Sequence, residues 1–101
     1  MRLPKTIQVF GRDYKIALTK HLKDEDGNRV DGLFCAKTSV ISIDTEDKNQ
    51  VHTLIHELGH AVFERTSLNQ TDISSNLQEI VVNSIATVLT ENFNISLRKD
   101  K

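Results

Sequence analysis

The run His56-Glu57-Leu58-Gly59-His60 has the pattern H-E-x-x-H. On a helix, four residues advance about 400°, so His56 and His60 project about 40° apart and one turn, ~6 Å, along the axis. Two imidazoles so placed can converge on one tetrahedral Zn²⁺ at ~2.1 Å. Glu57 is one step round from His56, toward the open side of such an ion, where a carboxylate can take a proton from water. The ion lowers the pKa of that water and the carboxylate completes its activation. The chemistry expected is metal-assisted hydrolysis, with one Zn²⁺ per chain. The plainer alternative is two surface histidines spaced four apart by accident. Context weighs against it: the motif falls mid-helix, beside rather than within the apolar stripe, and Gly59 opens its face to a close approach.

A hydrolytic zinc site needs a third protein ligand. His52, Glu64, Asp72, Glu79 and Glu91 are the candidates. His52 would stretch three imidazoles over two turns of one straight helix, too far for one ion. Glu64, one turn beyond His60, points farther away. Glu79 is the better choice, because it sits on a second helix at the margin of the apolar arc, beside Val82 and Ala86. A carboxylate facing a packing partner is costly to bury unless something offsets its charge. The competing reading is a first-turn Glu favoured by the helix dipole. Asn83, one turn on, could orient the Glu79 carboxylate, or simply be solvated.

These groups need a scaffold, and the chain divides near residue 45. Thr6 to Phe10 alternates polar and apolar, Gly11-Arg12-Asp13 reads as a turn, and Tyr14, Ile16 and Leu18 carry a strand period. Lys20 to Asp31 is charged and holds the turn signal Asp26-Gly27-Asn28. Leu33 to Ala36 is a short apolar run, and Val40 to Ile43 is strand-like. Asp44 or Thr45 can cap a helix with Glu46 and Asp47 in its first turn, running to about Thr66. Its expected apolar face is Val51, Leu54, Ile55, Leu58, Ala61 and Val62. Ser67 to Asn76 is loop-like. A second helix, about Ser75 to Phe93, carries Leu77, Val81, Ile85, Val88 and Leu89. The fold class is α+β, a small sheet packed on helices. It forms one domain over 1–101: a β part to 45, a helical part over 46–93 carrying the zinc site, and a tail over 94–101.

Composition narrows the function. At 101 residues the chain is one domain. Lys+Arg 13 against Asp+Glu 14 leaves a net charge of −1, which argues against a general nucleic-acid binder. Cys35 is the single cysteine, so no intramolecular disulfide can form. No apolar stretch approaches the ~18 residues of a membrane span, and the first residues lack a signal-type run. The expectation is a cytoplasmic protein acting on a peptide or protein, with no nucleic-acid or membrane partner. Cys35 reads as a small buried strand residue rather than a zinc-binding latency switch. Asp24-Glu25-Asp26 reads as a solvated hairpin, since Gly27 is misplaced for a calcium loop.

Thr53 to Val62 resembles the active-site helix of the gluzincin metallopeptidases. The likeness is closest to the very small members called minigluzincins and to ImmA/IrrE-type proteins, and spans about Gly32 to Phe93. Glu79 to Ala86 resembles the family's glutamate helix, which implies Glu79 as third ligand with Asn83 in a position often held by Asn. The resemblance implies a minimal zincin-like fold: a mostly antiparallel sheet packed on the two helices. It implies a zinc endopeptidase with Glu57 as general base, possessed of or held back from activity as a zymogen. It further implies that Leu33, Phe34, Cys35 and Ala36 form an edge strand that pairs with substrate backbone. Large gluzincins add a Tyr or His that stabilises the oxyanion. Tyr14, His21 and Thr71 are possible here, and none matches by position.

Overall fold

The computed structural model describes residues 3–66 and 74–93. Four strands, β1 (Thr6–Val9), β2 (Arg12–Thr19), β3 (Gly32–Cys35) and β4 (Val40–Asp44), precede two helices, α1 (Gln50–Arg65) and α2 (Ser75–Asn92). The candidate ligand Asp72, Thr71 and the 94–101 tail lie outside the described residues.

The sheet order is β1-β2-β4-β3. The β1–β2 and β3–β4 pairs are antiparallel, but the central β2–β4 pair is parallel, so the sheet is mixed. β1 and β2 are joined by a tight turn at Phe10 (φ 48°) and Gly11 (φ 82°), one residue earlier than the sequence suggested. Two consecutive positive φ angles give a hairpin turn whose twist matches its strands.

Period-two alternation sends Val9, Tyr14, Ile16, Ile41 and Ile43 to one face, where they pack with Leu54 and Ala61 of α1. Leu18 continues the alternation but is 55% exposed. Cys35 is exposed on the opposite face rather than buried. The Tyr14 hydroxyl is buried with no hydrogen-bond partner.

The first helix begins later than its acidic residues suggested. Asp44 is buried and consumed by a turn: its carboxylate accepts the backbone N–H groups of Glu46 and Leu22 and a guanidinium N–H of Arg29. Those hydrogen bonds, led by Glu46, hold the Asp44 carboxyl below its ordinary pKa. Asp47 likewise accepts the N–H of Asn49. The helix therefore starts at Gln50, and its N-cap Asn49 makes no side-chain capping bond. α2 starts at Ser75, where the Ser74 hydroxyl accepts the N–H of Leu77, a standard N-cap.

The expected apolar face of α1 is largely met, and that of α2 is not. α1 buries Thr53, Leu54, Glu57, Ala61 and Phe63 and packs Leu58 against the core, while Val62 is exposed. α2 buries only Val82 and Ala86, and leaves Leu77, Ile80, Ile85 and Val88 exposed. Among the described elements α2 packs on α1 alone. The smaller stripe faces inward because it permits a closer approach than the bulkier one would. No helix among the described residues is long and apolar enough to cross a membrane.

Candidate metal centre

His56 and His60 stand one turn apart on α1, with ring centroids 5.1 Å apart. Glu79, in the second turn of α2, reaches both. Its Oε2 lies 3.0 Å from His56 Nε2 and its Oε1 lies 3.0 Å from His60 Nε2. One ligand atom from each residue falls within 4.8 Å of the others, a spacing that one small cation can bridge. The donor set, two imidazoles and a carboxylate, fits zinc with one position left open. Burial lowers the pKa of His56, His60 lowers it further, and the Glu79 charge opposes both. A neutral imidazole is the form that ligates a metal.

Glycine sets the distance between the helices. A Cβ on Gly59 would meet Val82 Cγ1 at 2.5 Å and Val82 Cβ at 2.9 Å. Only a residue without a side chain lets α2 lie this close. Val82 is one turn beyond Glu79, so the same contact that seats Val82 brings the carboxylate over the two histidines.

Glu57 is not part of the cluster. It lies on the sheet-facing side of α1, 7% exposed. Burial, and secondarily the charge of Glu79, raises its carboxyl to about 7. A group that gains and loses a proton near neutrality is matched to general-base work. Its place depends on a second glycine that the sequence reading passed over. A Cβ on Gly32 would sit 2.6 Å from Thr53 Cγ2 and 3.1 Å from Glu57 Cγ and Oε2. β3 and α1 thus meet at Gly32, and this contact sets Glu57 beside the strand.

The cleft over the cluster holds about 510 Å³. His56, Glu57, His60 and Glu79 form its floor, and Gly32, Leu33 and Phe34 one wall. Cys35 and Ala36 do not line it. Asp24 and Val30 extend the wall, while Glu64 and Gln78 complete the rim. Asp24 and Val30 were not among the expected cleft residues; the turn at Asp26-Gly27-Asn28 brings them there. It folds 22–30 back on itself through Val30 N–H to Leu22 O (3.1 Å) and Asp24 N–H to Asn28 O (2.9 Å), which delivers Asp24 and Val30 to the head of β3.

β3 is an edge strand. Asp44 N–H donates to Asp31 O at 2.8 Å. With the register Gly32↔Ile43 and Phe34↔Ile41, alternation directs the backbone groups of Leu33 and Cys35 to β4. Gly32 and Phe34 therefore turn their N–H and C=O to the open edge.

Asn83 is exposed and makes no hydrogen bond with Glu79. His52 Nε2 lies 3.1 Å from the Thr87 hydroxyl, a second link between the helices away from the cluster. Glu79 itself is 55% exposed, so it borders the open cleft rather than a sealed helix interface. No protein-family model, curated protein or solved structure matches the chain. The resemblance to gluzincins rests on the residues of the chain itself.

Proposed function

We propose that this protein is a zinc-dependent metalloendopeptidase of gluzincin type on a minimal zincin-like fold, acting on peptide or protein substrates in the cytoplasm. The observation that carries the reading is the convergence of Glu79 from one helix on His56 and His60 of another, with buried Glu57 adjacent and outside the ligand set. When bound, zinc supplies Lewis acidity toward a carbonyl and acidifies water. The residues do the rest. Glu57 accepts the proton of the attacking water and passes it to the departing amine. Gly32 and Phe34 offer alternate backbone donors and acceptors that an extended peptide can pair with.

Among the described residues, those lining the cleft include no Tyr, Lys or Arg to stabilise an oxyanion. That observation favours a second reading, a zinc-binding regulatory or latent module with little turnover. Elemental analysis and turnover of an unfolded protein separate the two. One zinc per chain with hydrolysis that disappears in Glu57→Gln supports the peptidase. One zinc without hydrolysis supports the module. A full equivalent of zinc in the His56→Ala/His60→Ala double variant refutes both.

A further inference from the structure

α2 is apolar on two sides. Val82 and Ala86 seat it on α1, and among the described elements it packs on α1 alone. At about 100° per residue, Leu77, Ile80, Ser84 and Val88 lie on the far side of the helix, about 180° from Val82 and Ala86. Leu77 is 47% exposed, Ile80 62% and Val88 57%, and Ile85 flanks them at 52%. A helix that is apolar all round is normally enclosed on both sides. The outward residues recur at steps of three and four, and Glu91 continues them. That is the spacing of a seam between two helices, not of scattered surface residues.

The shape and charge of this face fit a second copy of the same helix. α2 runs from Ser75 to Asn92, so its midpoint falls at Asn83 and Ser84. Ser84 is small and lies on the outward face, where two copies can cross closely. In an antiparallel pair crossing at Ser84, Ile80 of each copy faces the partner's Val88, and Glu91 reaches the first turn of the partner helix. α2 has no acidic residue in its first turn and no basic residue in its last. Glu91 stands near the negative end of its own helix dipole, where a carboxylate is disfavoured, and in the pair it meets the positive end of the other. A helix of 18 residues is ~27 Å long, and two paired along that length bury on the order of 1,000 Å² in total, the low end of a specific interface. The association is therefore expected to be reversible.

We propose that the protein self-associates as a two-fold dimer through the outward face of α2, with the two helices antiparallel and centred on Ser84. Glu79 lies on the inward side of α2 and lines the cleft, so the cleft stays open in the pair. The dimer gives α2 a second packing surface beside α1, which makes its seating depend on protein concentration. This inference stands independently of the metallopeptidase reading.

Sedimentation velocity on the full chain tests it, in chelator and again with one equivalent of zinc, so that a shared ion cannot be the link. Between about 1 μM and about 500 μM the species should shift from monomer to dimer, with a Kd on the order of 1–100 μM, and Tm should rise with concentration. Ile80→Arg and Val88→Arg change exposed positions, so both variants should fold, as circular dichroism of dilute protein will show. Each places two cations in the apolar seam and should weaken the dimer about a hundredfold, tenfold for each copy. Glu91→Lys should move two readouts in opposite directions. It should raise the Tm of the dilute monomer, because a cation suits the end of its own helix, and weaken the dimer about threefold or more. Lys15→Glu, exposed on β2, should leave the Kd in place. A wild-type monomer at every concentration, a dimer that forms only with zinc, a Kd unchanged by both Arg variants, or a Glu91→Lys dimer as tight as wild type overturns the inference.

Discussion

Gly59→Ala tests whether helix approach is what assembles the metal centre. The added methyl would lie 2.5 Å from Val82 Cγ1 and 2.9 Å from Val82 Cβ. Carbon atoms settle at ~3.5–4.0 Å, so the pair must separate by about 1 Å. Rotating Val82 moves Cγ1 but not Cβ, and the backbone of α2 must shift. Overpacking of this kind costs about 1–3 kcal/mol, against about 1 kcal/mol regained from the helix propensity of Ala over Gly. The expected net loss is about 1 kcal/mol, or about 4–8 °C in Tm for a domain of this size. Glu79 moves with Val82, and ligand distances tolerate only about 0.2 Å. Zinc affinity should therefore fall about tenfold or more, as when a supporting residue of a metal site is lost. Thermal melts in chelator read the packing loss, and competition with a chromophoric chelator reads the zinc loss. Adding Val82→Ala removes the nearer clash and leaves the farther one, so it should recover part of the zinc affinity. If Gly59→Ala melts at or above the wild-type temperature with unchanged zinc affinity, close helix approach does not position Glu79.

Glu79→Ala should weaken zinc and lower Tm in its presence, because this carboxylate ties two elements through the ion; Glu64→Ala and Glu91→Ala should not, as chelator titration and melts of the three variants will show. Tyr14→Phe removes a buried hydroxyl that has no partner, so urea unfolding should find it as stable as wild type or more so. A loss beyond about 1 kcal/mol would mean that the hydroxyl has a partner after all. Asp44 has a depressed pKa in the folded state, so its stabilisation is present above its ordinary value near 3.8 and fades as pH falls through the folded value below it. Asp44→Asn should therefore be less stable than wild type at neutral pH, and the gap should narrow in acid. Melts from pH 7 to pH 3 in chelator check this, and an unchanged gap refutes it.

The convergence of His56, His60 and Glu79 was legible because H-E-x-x-H needs only local helix geometry, and Glu79 followed from a polar residue at the edge of an apolar arc. The strands were legible from alternation and the α2 start from Ser74. What failed was long-range. Two of the three strand pairs are antiparallel, as expected of a mostly antiparallel sheet, but the parallel β2–β4 pairing has no local signature. Asp44 was a plausible helix cap until the distant Leu22 and Arg29 claimed its oxygens. The inward face of α2 was misjudged because hydrophobicity alone favoured the bulkier stripe, while Gly59 allowed a closer contact at Val82. Gly59 was recognised as an opening, but sequence could not say that Val82 would fill it.

Pairing β2 directly with β4 leaves everything between them as an excursion from the sheet centre. That excursion, 20–39, carries Asp24, Val30, Leu33 and Phe34, while His56, Glu57, His60 and Glu79 all come later in the chain. One wall of the cleft and the His56, Glu57, His60 and Glu79 group thus come from separate stretches that meet at Gly32. Under the proposed reading, lengthening the 22–30 hairpin would change what enters the cleft without touching the residues proposed to hold metal, provided position 32 stays glycine.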